Sequence, residues 1–209
     1  MPRTKLGMAV QRRKEQYKKR IDTRIANTIA QCDEPTWKDY RELCDYLFET
    51  WIRYRDGWKC PLTGKTYAEG DYEHYHACHF IGRRCLATRY LPENCHGQSS
   101  WLNYQQSLGN VKVIDEYLQF MRVTYGQDTI NRLYVLAKGN VRWTMNQWRS
   151  KLTELWNQML SIPNGQQIME KRFETLYTTT KRRYALERML TIAGGNVNGQ
   201  GFSSDHNRD

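Results

Sequence analysis

Apolar residues recur at three- and four-residue steps at Trp37, Tyr40, Leu43, Cys44, Leu47, Phe48, Trp51 and Tyr54. That spacing predicts an amphipathic α-helix whose stripe is core. Pro35-Thr36 suits its first turn, and Gly57 stands just past the last periodic residue. A second stripe, Met145, Trp148, Leu152, Leu155, Trp156 and Met159, follows the capping box Thr144-Met-Asn-Gln147. It runs to about Ser161, ahead of Pro163. Between the two stripes the pattern predicts a helix from Val113 to Tyr125, closed by Gly126. Another is capped by Asp128 and ends near Gly139. A last helix is predicted from about Gln166 to Ile192, and the Gly-, Asn- and Ser-rich stretch from Gly194 to Asp209 is expected to be disordered.

Between Gly57 and Asn110 the period changes. Trp58-Lys-Cys60 reads as the start of a short strand, with turns at Thr63-Gly64-Lys65 and Glu69-Gly70-Asp71. The spacing of His74 and His76 suits a strand. A loop from Ile81 to Thr88 follows, then a strand end near Asn94-Cys-His96. Ser99 or Ser100 can cap a helix that begins near Trp101. A helix packed on a hairpin brings His76, His79, Asn94 and Asn103 together. The chain thus divides into an N-terminal arm (1–34), a helix (35–57), a small mixed core (58–110), a helical region (111–193) and a tail (194–209).

Length and charge narrow the picture. The 209 residues suffice for one sizeable domain, or a core with a helical appendage. Net charge is +10, and residues 1–31 hold nine Lys/Arg against Glu15 and Asp22, which is +7 of it. Arg12, Arg13, Lys14, Lys18, Lys19 and Arg20 put cations all around the predicted arm, which marks a surface element. A polyanion partner follows, with nucleic acid the leading candidate and a merely solvated basic helix the plain alternative. Six cysteines lie at irregular spacings, behind a start without an apolar leader, which predicts reduced thiols in a cytoplasm. No run approaches the length of a membrane span. Neither a Ser/His/Asp spacing nor a phosphate-binding glycine loop is present, which disfavours acyl transfer and NTP hydrolysis.

The order of motifs in the middle of the chain carries a resemblance. Cys78-His79-Phe80, Arg89-Tyr90 with Asn94 and His96, Asn103, and Gly109-Asn110 stand in sequence. Tyr125-Gly126-Gln127 and Arg142-Trp143-Thr144 follow downstream. Over roughly residues 38–160 the chain resembles the NinG/Rap family of lambdoid phage recombination endonucleases, within the HNH or ββα-metal nucleases. The resemblance implies an α+β fold, mostly helical, with a small ββα-metal (HNH-like) nuclease core embedded among amphipathic helices. It also implies metal-assisted hydrolysis of a DNA phosphodiester in branched DNA such as Holliday junctions or D-loops. On that reading His79 is the general base, and Asn94 fixes the loop and the ring of His79. His76 and Asn103 hold a divalent ion, Mg²⁺ in the cell with Mn²⁺ also admitted. Arg83, Arg84 and Arg89 contact phosphates. Symmetric cutting implies a homodimer, and a phage-encoded enzyme works in the host cytoplasm.

Two departures stand out. The family pairs two Cys-x-x-Cys knuckles around a structural zinc, whereas this chain reads Cys60-Pro-Leu-Thr63 and Ser99-Ser-Trp-Leu102. The family's zinc is therefore expected to be absent, with Trp58, Trp101 and Leu102 as its apolar replacement. A replacement set drawn from Cys60, Cys78, Cys85, Cys95 and His96 is the alternative. His76 stands where the family has an acidic residue, which leaves Asp71 or Glu73 as other candidates for the first metal ligand. His74 and His96 read as structural or substrate-contacting. Two further readings stay open: a non-catalytic DNA-binding protein on an eroded HNH fold, and a sequence-preferring HNH nicking endonuclease.

Overall fold

The computed structural model describes residues 15–16, 18–20, 23, 34–176 and 180–192. The arm residues Arg12, Arg13 and Lys14, and the tail from 194 onward, lie outside them. The first long helix, α1, spans Trp37–Arg55. The Asp39 carboxylate accepts from both the backbone N–H and the hydroxyl of Thr36, at 2.7 and 2.6 Å, and fixes the helix start. Tyr40, Leu43, Cys44, Leu47 and Phe48 are buried, as the apolar period predicts; Trp51 and Tyr54 are partly buried, Trp37 at the start is exposed, and Ile52, outside the stripe, is buried. The chain leaves the helix through Gly57 at φ 57°.

The helix that packs most closely on α1 is α4, Met145–Leu160; α2 and α3 lie between them in the sequence and are described below. Its start is the expected box. Thr144 Oγ1 accepts from the Gln147 N–H at 3.3 Å, and Gln147 Oε1 accepts from the Thr144 N–H at 2.9 Å. Its buried side chains Trp148, Leu152, Leu155, Trp156 and Met159 interlock with those of α1 in the main core. Two further helices, α5 (Gly165–Leu176) and α6 (Thr180–Ile192), cover the same core with Met169, Phe173, Leu186, Met189 and Leu190. They stand where the sequence predicts one helix, and residues 177–179 between them lie outside the description.

Against the other side of α1 lies a two-stranded antiparallel sheet, β1 (Tyr75–His79) with β2 (Cys95–Ser99), in the register Tyr75 to Ser99 through His79 to Cys95. A 3₁₀ turn, Pro92–Asn94, leads into β2. Helix α2, Ser100–Ser107, follows directly, with Ser99 Oγ accepting from the Leu102 N–H at 3.1 Å. Gly97 is required in β2: a Cβ there would lie 1.9 Å from Tyr75 Oη. The strand expected at Trp58–Cys60 is only an isolated bridge, Lys59 to Thr66. Helix α3, Val111–Ala137, bends at Gly126, whose φ of 80° and ψ of 164° are unavailable to a helical residue. That is the break the sequence places there.

The architecture is α+β and mostly helical, with strand, loop, strand and helix in the order 75–107. Among the described residues no helix is long and apolar enough to cross a membrane.

Candidate active site

A cleft of about 540 Å³ runs along the outer edge of β1, between α1 and α2. In the hairpin, His74 O and Phe80 N bond across to Ser100 N and Asn94 O. Antiparallel alternation therefore turns the backbone groups of Tyr75, Ala77 and His79 outward. Two helices supply donors for them. Arg53 Nε of α1 donates to Tyr75 O at 3.1 Å, and Gln106 Nε2 of α2 donates to His79 O at 2.9 Å. Ala77, between the two, lines the cleft.

His79 closes β1 and forms part of the cleft wall, with 7% of its surface exposed. Its Nε2 lies 2.9 Å from the carbonyl oxygen of Arg89. A carbonyl can only accept, so Nε2 carries the proton and Nδ1 keeps a free lone pair. Nδ1 lies 3.7 Å from Cys95 Sγ. Burial pushes that thiol well up, so it stays protonated and is at most a weak donor. Burial pushes His79 down from 6.5 to about 4; the Arg89 carbonyl opposes this, and the charge of Arg83 adds to it. The ring is neutral at pH 7 and can accept a proton.

Beside it, His76 Nδ1 lies 3.3 Å from Asn103 Nδ2 on α2. The amide donates to a bare imidazole nitrogen. Burial, then the charge of Arg53, lowers the proton affinity of His76. Turning the amide end for end sets its oxygen beside the same nitrogen. Both residues line the cleft, and the pair then offers one imidazole nitrogen and one amide oxygen. The pair brings no carboxylate, so a divalent ion held there would keep most of its positions with water and substrate. Among the described residues no group of three or more His, Cys, Asp or Glu side chains could hold a metal ion.

The other candidates divide. Asn94 is fully buried. Its Oδ1 accepts from Ile81 N at 2.7 Å, and its Nδ2 donates to Ile81 O and Thr88 O at 3.0 and 2.9 Å. It clamps the loop whose Arg89 carbonyl holds His79, and so helps to position that ring without touching it. Asp71 is not brought to the cleft. It sits in the turn before β1, where it accepts from His74 N at 3.0 Å and pairs with His74 Nδ1 at 2.9 Å. Arg89 is not among the residues that line the cleft. Its Nε and Nη2 grip both Asp45 oxygens at 2.6 and 2.5 Å, so its part is to hold the loop on α1. Arg83 does line the cleft, paired with Glu49 at 2.8 Å, and Arg84 is exposed nearby. Lys18, Lys19 and Arg20 are helical and exposed. His96 is buried between the hydroxyls of Tyr117 and Tyr125, at 2.9 and 2.8 Å, with burial first pushing it down to about 3. Trp58 and Leu102 share a small core with Cys60, Tyr75 and Val113. Trp101, expected with them, is 61% exposed, because on α2 it faces away from the hairpin.

Comparison with protein-family models, with curated proteins and with solved structures gives no match. What the site can do is read from its own atoms. The sequence pattern missed several of its residues. Glu49 and Arg53 sit on α1, whose pattern announces only a core stripe, and Glu49 pairs with Arg53 at 3.7 Å and with Arg83. Tyr72 and Gln106 also line the cleft, as do Gly82 and Ser107. The only local signal was the Glu49–Arg53 spacing of four, which favours an ion pair on a helix surface.

Proposed function

We propose that the chain is a metal-dependent DNA endonuclease that cuts branched DNA in recombination. The observation that carries this reading is His79, a neutral imidazole with one tautomer fixed, on the wall of a cleft shared with the His76–Asn103 pair and two arginines. On this reading a water attacks phosphorus and passes its proton to His79 Nδ1, in place of that nitrogen's contact with the Cys95 thiol, while the P–O bond to the 3′-oxygen breaks and that oxygen takes a proton from a second water. The Arg89 carbonyl keeps Nε2–H in place while the ring gains charge. Arg53 and Arg83 offset the negative charge of the phosphate. A divalent ion held by His76 and Asn103 would supply Lewis-acid stabilisation of charge on the phosphate and leaving oxygens. Dimerisation would set two such clefts on two strands of one junction.

One observation favours a second reading, a DNA-binding protein without cleavage: the polar neighbour of Nδ1 is the Cys95 thiol, inside the fold. The two separate in one experiment. Purified protein is incubated with a labelled four-way junction and with matched linear duplex, with and without Mg²⁺ or Mn²⁺. Metal-dependent cutting of the junction is expected, and His79→Ala should lower it about 10²–10⁴-fold with binding retained. Binding without cutting at either metal, or cutting within tenfold of the parent in His79→Ala, would remove His79 as the base.

A further inference from the structure

Tyr72 borders two cavities. One is the cleft; the other, of about 800 Å³, lies past the end of α1 and is walled by Tyr54, Glu69, Gln167, Lys171 and Arg172. Two guanidinium groups flank the Tyr72 ring, with Arg172 Cζ 3.4 Å and Arg53 Cζ 5.3 Å from its centroid. Arg53 belongs to the first cavity and Arg172 to the second. The Arg172 plane is fixed further, since its Nε donates to Tyr46 Oη at 2.8 Å. A guanidinium already held in one plane loses little freedom when it grips a phosphate or stacks on a base. Across both cavities the lining carries Arg53, Arg83, Lys171 and Arg172 against Glu49 and Glu69. Glu49 is paired with arginines, and Glu69 accepts from the Tyr54 hydroxyl at 2.9 Å.

We propose that this ledge leads one unpaired strand of DNA out of the cleft and into the second pocket, so that the site recognises a single-stranded flank next to the cut. Planar cations alternating with aromatic rings along a basic groove suit a single strand, whose phosphates follow the charge and whose bases stack. The inference rests on the nuclease reading for its first cavity, and its test needs no cleavage.

Fluorescein-labelled blunt duplex is compared with the same duplex bearing a single-stranded flap of about six nucleotides, within the range such grooves engage. Full-length protein is titrated in EDTA and anisotropy gives the two Kd values. The flap should tighten binding about tenfold, the effect of roughly one stacked base. In Lys171→Glu and in Gln167→Glu/Lys171→Glu, both exposed positions, the ratio of blunt to flap Kd should fall below about threefold. An unchanged ratio in these variants overturns the proposal. So does a ratio near one in the parent, or an equal gain from a double-stranded extension. Metal-dependent cleavage without any flap preference ends this inference alone, whereas flap preference without cleavage under Mg²⁺ or Mn²⁺ upholds it and ends the nuclease reading.

Discussion

Asn94 allows a test that separates a hydrogen-bond clamp from mere packing. Its amide satisfies three backbone groups, Ile81 N, Ile81 O and Thr88 O, and Thr88 is itself fully buried. Asn94→Ala strands all three. A stranded buried group costs about 1–3 kcal/mol, and those at the partly exposed Ile81 cost the lower figure, so the loss should be about 3–5 kcal/mol. Asn94→Asp keeps the shape and the acceptor for Ile81 N. It replaces the donor with an oxygen facing two carbonyls. At pH 7 it should therefore be at least as damaging as Asn94→Ala, although it changes a single atom. Near pH 5 a protonated carboxyl can donate to one carbonyl, and the deficit relative to the parent should shrink. Urea unfolding followed by tryptophan fluorescence at both pH values gives these differences. If Asn94→Asp stays within about 1 kcal/mol of the parent at pH 7, the clamp does not hold the loop as argued. A deficit of similar size at the two pH values would contradict the role of the amide N–H groups.

Two more expectations concern the same hairpin. Gly97→Ala pushes a methyl group into the ring of Tyr75, whose hydroxyl is anchored on Lys59 O at 3.0 Å, and should destabilise by about 1–3 kcal/mol or more; adding Tyr75→Leu should recover part of that loss, and strict additivity of the two would show that the ring is not the obstacle. His79 and His96 hold protons less tightly folded, at about 4 and about 3, than the 6.5 of an unfolded chain, so the unfolded state binds more protons between those values. Their contribution is complete above pH 6.5 and is lost as pH falls toward 4 and 3, with a ceiling of about 3 kcal/mol for His79 and about 5 for His96. Urea midpoints at pH 7 and pH 4.5 measure this slope, and His96→Gln, which cannot gain the charge, should flatten it; an unaltered slope would move the acid sensitivity elsewhere.

The parts of the fold written in local chemistry were legible. The stripes of α1 and α4, the Thr144–Gln147 box, the Ser99 cap and the break at Gly126 each depend on residues within one or two turns of each other. The gathering of His76, His79 and Asn103 on one cleft was legible too, because it follows from helix after hairpin. What failed depended on docking. Arg89 looks like a phosphate ligand until Asp45, far away in sequence, takes both faces of its fork. Asp71 looks like a metal ligand until it closes its own turn on His74. Trp101 reads as core by its chemistry, and only the rotation of α2 about its axis sends it to solvent. Glu49 and Arg53 were hidden by the apolar residues around them, since a helix shared by core and cleft shows its core face first.

The outer edge of β1 has a consequence for self-association. A bare strand edge is a template on which other copies of a chain can add by backbone pairing. Here Arg53 and Gln106 occupy the carbonyls of Tyr75 and His79 from opposite sides, and stand in for a third strand without being one. The side chains that shape the cleft therefore also act as gatekeepers against fibrillar stacking. Substitutions that empty both positions should be read in the aggregation trace of a concentrated sample before they are read in any binding curve.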